Sequence, residues 1–356
     1  MEKYNIKKIN RLVFIIIIIL SLSACGYKTA QYRNNNKVIL YTEANDEFNK
    51  ALKDYYETIE SAEVNYESIE NGEDTYFFNP NKKFNDGIKE EDSIDIHEKL
   101  FDENLIEVST VKMDNKFKYA TYSVIQTGEA KLYKYKDNDK NRKTVCINAG
   151  HGTPNGTAYS TFSHPDFTPK VTGGTTKAGS ILSIAVSDGM IFDDGHRESE
   201  MNLIVAVMLK DLLLKNGYNV LMIREDEMCY LDNVARTVLA NNYSDIHISI
   251  HFDSTDNDKG FFYIGPPNIP QYVEMDPVKK YLDKHRKLGS TILKAFKEDN
   301  YRIFGSGFMG MDLTQISYST IASVDIELGD KATNLTPEFL AGCARTLYKG
   351  IDNYFK

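Results

Sequence analysis

The sequence predicts an α/β fold: a twisted, mostly parallel sheet flanked by helices, preceded by a small α+β module. Two observations carry this reading. From about Lys143 onward, apolar runs of strand length alternate with segments of helical periodicity, the pattern of a parallel sheet with helices packed on it. Three of the strands also finish on residues with metal-binding or acid–base chemistry. Val145-Cys-Ile-Asn-Ala-Gly-His-Gly152 presents His151, Asp245-Ile-His-Ile-Ser-Ile-His251 ends on His251, and Ile321-Ala-Ser-Val-Asp-Ile-Glu327 ends on Glu327. Open α/β sheets place their ligands at the carboxyl ends of the strands, so the three endings point to one shared site.

At 356 residues the chain has room for two domains. Its start is basic (Lys3, Lys7, Lys8, Arg11) and runs into the apolar stretch Leu12–Leu20, then Leu22-Ser-Ala-Cys25. That stretch is shorter than the roughly 20 residues of a membrane span. Its layout is that of a secretory signal, and the cysteine after Leu-Ser-Ala resembles a bacterial lipobox. Residues 1–25 are therefore read as a lipoprotein leader with Cys25 as the lipidated residue, in preference to a plain signal peptide or an anchor helix. Residues 26–36 are polar and read as a tether. Residues 37–135 read as a separate α+β module of open role, with a partner as one use for it. Val38–Tyr41 is a strand candidate, and Phe48, Leu52, Tyr55 and Ile59 fall at helical spacing. The stretch from Asn71 to Asn104 is acidic and loop-rich. A hairpin is expected between Val111–Met113 and Phe117–Tyr119, turning at Asp114-Asn115. His97 has no companion ligand nearby and reads as a surface residue.

Residues 136–142 form a charged linker, and 143–356 the second domain. Met201, Ile204, Val205, Met208 and Leu212 mark a helix that stops at Asn216-Gly217. A strand from Tyr218 to Ile223 follows, then a helix on Leu231, Val234, Ala235, Val238 and Leu239. Helices over Tyr281–Phe296 and Pro337–Phe355 complete the pattern. A net charge of −9 argues against non-specific nucleic-acid binding, which needs a basic face. Beyond Cys25 three cysteines remain, an odd number that makes no disulfide framework. Cys146 reads as buried, and pairing of Cys229 with Cys343 is left open.

A catalytic zinc takes three protein ligands and keeps a fourth position open. His151 and His251 supply two nitrogen donors. Glu198, at the start of a helix whose dipole favours a carboxylate, is the third candidate, with Glu200, His196 and His164 as rivals. By strand alternation Ser323, Asp325 and Glu327 share one side, where Glu327 can serve as a base towards an activated water. Bland roles compete: a strand-end histidine can satisfy a backbone carbonyl, and Glu327 can pair with Arg224 or Arg302.

From about Thr144 to Tyr354 the chain resembles the zinc-dependent N-acetylmuramoyl-L-alanine amidases of the amidase 3 family. Ile147–Gly152 matches the first histidine motif and Glu198–Leu203 the glutamate motif, which favours Glu198 over Glu200. Val220–Arg224, Arg236, Ala240-Asn241, Ser249–His251, Gly260, Asp312–Thr314 and Val324–Gly329 follow in the family's order. The resemblance implies an amidase 3 catalytic domain binding one Zn2+ through His151, Glu198 and His251. It implies hydrolysis of the bond between N-acetylmuramic acid and L-alanine in peptidoglycan, with Glu327 as the catalytic glutamate. Asp253, Asn202 and Arg224 are secondary candidates, for supporting the ligands or touching substrate. With the lipobox, it implies a lipid-anchored enzyme on the outer face of the bacterial cytoplasmic membrane, facing the wall. Departures are Asp253 where the family usually has asparagine, Ile321-Ala322 in place of a proline, and a long segment from Thr153 to Arg197. Within that segment Val171–Thr176 is a candidate cleft wall or lid. The alternative is a non-catalytic or activator-dependent wall-binding lipoprotein that keeps the fold; a different zinc amidohydrolase acting on small peptides is a further one.

Overall fold

The computed structural model describes residues 30–34, 37–41, 103–137 and 139–356. The leader with Cys25, the helix expected over 48–59, the acidic loop and His97 lie outside the described residues. Among the described residues no helix is long and apolar enough to cross a membrane. Two short strands, β1 (Ala30–Asn34) and β2 (Lys37–Tyr41), pair antiparallel with each other. The strand expected at 38–41 is therefore present, and most of the second half of the expected tether is strand as well.

The remaining described residues are organised around one sheet of eight strands. In chain order these are β3 (Ile106–Lys112), β4 (Glu129–Tyr135), β5 (Thr144–Ala149), then β8 (Asn219–Met222), β9 (Ile246–Asp253), β10 (Phe261–Gly265), β11 (Ile303–Gly310) and β12 (Ala322–Asp330). Across the sheet the order is β11-β10-β12-β9-β5-β8-β4-β3. The four central strands, β12, β9, β5 and β8, run parallel, while β4 joins antiparallel to β8 and β10 antiparallel to β12. Between β5 and β8 the chain forms a separate ribbon, β6 (Ser160–Phe162) paired with β7 (Leu182–Ile184).

Parallel strands covered on both faces are apolar throughout, and β5, β8 and β12 are buried at every position. One face carries Val145, Ile147, Ile248, Ile250, Val324 and Ile326 against helices α1 (Glu198–Lys215), α4 (Val278–Glu298) and α6 (Pro337–Phe355). The other carries Cys146, Leu221 and Ile223 against α2 (Asn233–Tyr243). Two short helices, α3 (Pro270–Val273) and α5 (Thr314–Tyr318), fill the loops beside β11 and β12. Helix α1 is buried on nearly all sides rather than along one stripe, because both the sheet and α6 pack on it. It stops where expected: Asn216 caps it and Gly217 takes a φ of +82°.

Two expected boundaries are corrected. Residues 106–135 are not part of a separate module, because β3 and β4 extend the eight-stranded sheet at its edge. The hairpin also has a different second strand. Asp114 does turn the chain, accepting from the amides of Lys116 and Phe117, but β3 pairs with β4 rather than with 117–119. Residues 117–122 instead pack on α2 through Phe117, Tyr119, Ala120 and Tyr122, so burial outweighs the local alternation. Cys146, Cys229 and Cys343 are free and buried.

A candidate metal centre at the carboxyl edge of the sheet

The site begins where β5 ends. At Gly150 any Cβ would lie 2.1 Å from Cε1 of His251, so only glycine lets that ring pass. His151 then adopts a left-handed backbone with φ +63°, which turns its ring back over the strand end. That conformation costs a non-glycine residue about 1–2 kcal/mol. Two buried guanidinium groups hold it. Arg224 donates to the carbonyls of Ala149 (2.9 Å), Gly150 (2.8 Å) and, on α1, Ser199 (2.6 Å). Arg236 donates to the carbonyl of His151 (2.7 Å) and to Thr153 Oγ1 (2.8 Å). Hydrogen bonds from charged donors contribute about 1.5–3 kcal/mol each, more than the strain.

His151 Nδ1 donates to the Ser187 carbonyl at 2.7 Å, which leaves the Nε2 lone pair facing the site. Nε2 lies 2.8 Å from Glu198 Oε1 and 3.0 Å from His251 Nδ1, and His251 Nδ1 lies 3.0 Å from the same carboxylate oxygen. These three donor atoms all fall within 4.8 Å of one another, close enough to hold one metal ion. Glu198 is set by its own neighbours. Its Oε1 accepts from Asn202 Nδ2 (3.3 Å) and the Phe252 amide (3.2 Å), and its Oε2 from the Met190 amide (3.1 Å). Burial pushes the Glu198 carboxyl up, but the two histidines outweigh it and hold the group well below the usual carboxylate range. An ionised carboxylate and two imidazole lone pairs are the ligands a divalent ion requires.

Glu327 stands beside this triad. In the parallel register of β12 and β9 it is directly opposite His251, as the alternation predicts. It is buried, and among the described residues Oε2 has no hydrogen-bond partner. Burial first, then the carboxylates of Asp325, Glu198 and Asp253, raise its pKa well above the ordinary value, with Lys259 opposing. Neither arginine expected as a bland partner reaches it: Arg224 is spent on carbonyls and Arg302 pairs with Asp258.

The secondary candidates divide. Asn202 supports Glu198 directly. Asp253 lines the cleft, and Lys259 Nζ at 2.7 Å offsets its charge. Arg224 lies behind the His151 turn and does not line the cleft, so its part is structural rather than substrate contact. The rivals to Glu198 are engaged elsewhere: Glu200 accepts from the Arg197 amide (3.3 Å), His196 pairs with Asp194 (3.0 Å), and His164 is buried between Thr168 and Asp312.

Sequence reasoning missed Asp325. Its Oδ2 lies 3.7 Å from His251 Nε2, on the side of the ring away from the triad, and its Oδ1 is buried without a partner. The signal was available, since alternation already placed Asp325 on the face of Glu327.

The triad, Asp325 and Glu327 open into a cleft of ≈ 400 Å³. The long 153–197 segment supplies one wall, including Gly174, Thr175, Thr176, Gly189 and Met190, so the second half of the 171–176 stretch lines the cleft. Asp312 pins this wall. It accepts from Lys170 Nζ (3.0 Å), the amides of Val171 (2.6 Å) and Thr172 (3.2 Å), and the Thr172 hydroxyl.

The sequence profile of the family described as N-acetylmuramoyl-L-alanine amidase (Amidase_3) matches residues 145–353. No curated protein matches the chain. Among solved structures, the amidase Ami1 of Mycobacterium abscessus is similar at 19% identity, covering 60% of this chain and 99% of its own, with a TM-score of 0.48. An amidase of Clostridium difficile 630 is 20% identical, covering 60% and 97%, with a TM-score of 0.42. The CwlD amidase of Clostridioides difficile, solved with the GerS lipoprotein, is 18% identical, covering 60% and 98%, with a TM-score of 0.40. The profile begins at β5, ends in α6 and takes in both histidines, Glu198 and Glu327; spanning more than half of the residues, it establishes that this chain belongs to the N-acetylmuramoyl-L-alanine amidase family.

Proposed function

We propose that this protein is a zinc-dependent peptidoglycan hydrolase that cleaves the amide between the lactyl group of N-acetylmuramic acid and L-alanine. The observation that carries the reading is the pairing of a His-Glu-His donor set with a separate, buried and unpartnered glutamate on the adjacent strand. Two imidazole nitrogens and one carboxylate form a common catalytic zinc set, with a coordination position left for the reaction. Zinc held there supplies Lewis acidity at the lactyl carbonyl and brings the pKa of water towards about 7.

The chain's own residues do the rest. Ser187 fixes His151 with Nε2 free, and Asp325 faces Nε2 of His251 so that Nδ1 is presented to the metal position. Glu327 takes a proton from the attacking water and returns it to the departing alanine nitrogen. Its buried surroundings favour the protonated form, which suits the second half of that transfer. The His-Glu-His donor set and Glu327 lie side by side, which supports a catalytic reading over a non-catalytic wall-binding protein. The leader and Cys25 support lipid anchorage on the outer face of the cytoplasmic membrane, where peptidoglycan is the adjacent polymer. A protein activator or partner is one proposed use of residues 37–135, of which 106–135 also serve the sheet.

Metal content and turnover test the roles separately. Glu327→Gln keeps stoichiometric zinc and loses turnover by about 100- to 10,000-fold. His151→Ala and His251→Ala lose the zinc. Loss of metal from Glu327→Gln would make Glu327 a ligand, and stoichiometric zinc in either histidine variant would overturn the site.

A further inference from the structure

A second concavity, a groove of ≈ 350 Å³, lies apart from the metal cleft. Tyr122 and Val124 from the β3–β4 connection form one side; Thr161, Phe162, Phe167 and Leu182 from the long segment form the other. The rings of Tyr122 and Phe167 stack at 5.7 Å with 23° between planes, and Phe162 meets Phe167 edge-on at 4.6 Å. Tyr318 fixes this arrangement from below, packing against Tyr122 and donating its hydroxyl to the Phe162 carbonyl at 3.0 Å. Phe167 and Leu182 are nonetheless half exposed. Thr121, Ser160 and Thr161 add hydroxyl-bearing residues to the lining.

Among the described residues no charged side chain lines the groove. Flat aromatic faces with a few hydroxyls and no charge fit a neutral ring that is apolar on its C–H faces and polar at its edge. An N-acetylated hexose has that chemistry. The stem peptide, which carries carboxylates, finds no cation there. The position is also right for a polymer. On β7, Leu182 lines the groove while Ser183 and Ile184 line the metal cleft, so the two sites share the β6–β7 ribbon as a wall.

We propose that this groove is a glycan subsite, stacking an N-acetylhexosamine of the same strand whose muramyl residue occupies the metal cleft. The proposal rests on the peptidoglycan reading above and adds a place for the substrate beyond the cut bond. It also explains the length of the 153–197 segment, which supplies part of both sites.

Phe167 has φ +65°, so asparagine, which tolerates that backbone, removes the ring without adding strain, and tyrosine keeps it. The experiment uses residues 27–356 with zinc, and Phe167→Asn and Phe167→Tyr beside the parent. Binding of a chitooligosaccharide is read by saturation-transfer NMR, and cleavage is compared on long glycan strands and on a single muramyl peptide. The parent and Phe167→Tyr bind the oligosaccharide. Phe167→Asn weakens it roughly three- to tenfold, and raises KM by a similar factor on strands but not on the single muramyl peptide. No oligosaccharide binding by the parent, or equal loss on both substrates, overturns the proposal. A shift from dimer to monomer in Phe167→Asn alone, without sugar binding, assigns the groove to a second copy and also overturns it. If neither substrate is cut, the amidase reading fails, while oligosaccharide binding still decides the groove.

Discussion

His251 is held from both ends. Nδ1 meets Glu198 and His151, and Nε2 faces Asp325. A carboxylate behind a ligating imidazole fixes its tautomer and raises its basicity, as the Ser187 carbonyl does for His151. Asp325→Leu should therefore weaken zinc binding by about 10- to 100-fold. Competition with a chromogenic chelator measures this, and unchanged affinity would show Asp325 to be idle. The metal-free variant should unfold no earlier than the parent, since the change removes a buried carboxylate with an unpartnered oxygen. At this scale the sequence was most legible for His151, His251 and Glu327, because strand ends and alternation constrain direction. It was least legible for Glu198, which spacing put only a little above Glu200 and the family motif then favoured; the structure brings Glu198 to the donor cluster and leaves Glu200 on the helix cap. Arg224 and Arg236 belong to the same lesson. Arg224 was a secondary site candidate and Arg236 only a match to the family pattern, and both are consumed in holding a left-handed turn.

At the scale of elements, the parallel strands and long helices follow from pattern because the strands are short and apolar on their core face and the helices repeat apolar residues at helical spacing. The closing helix was placed at the residues it occupies, starting at Pro337 with Thr336 as its cap. The β3–β4 hairpin was not legible, since its connection is long and packs by aromatic burial on α2. β10 and β11 were not anticipated either. β11 is a glycine-interrupted edge strand whose register against β10 shifts, with positive φ at Gly305 and Gly307. The 153–197 segment gave only a Gly-Gly turn as its signal. Its order comes from Asp312, far along the chain, which no local pattern could announce.

At the scale of the whole molecule, two buried histidines outside the metal triad lower stability in acid. Burial, with Arg236 adding to it, pushes His247 from 6.5 down to about 3, and burial pushes His285 from 6.5 down to about 4. Both stay neutral in the folded chain while the unfolded chain takes up protons below about 6.5. The unfolded state then binds more protons, so stability falls as pH drops from about 6.5 towards those lower values. These two histidines should cost the metal-free protein on the order of a few kcal/mol across that window, while the raised Glu327 carboxyl works in the opposite sense, so the parent is compared with a histidine variant to isolate their part. Urea midpoints against pH read this directly. His247→Leu should remove roughly half of the slope, and an unchanged slope would exclude His247 as its source.

The most direct measurement is a digest of purified peptidoglycan by residues 27–356, with and without a zinc chelator, resolved by mass spectrometry. The expected products are stem peptides with a free L-alanine amine and glycan strands with bare lactyl groups, absent on chelation and restored by added zinc. Fragments cut at any other bond, or release that persists when the metal is stripped, would contradict a zinc amidase built on His151, Glu198 and His251.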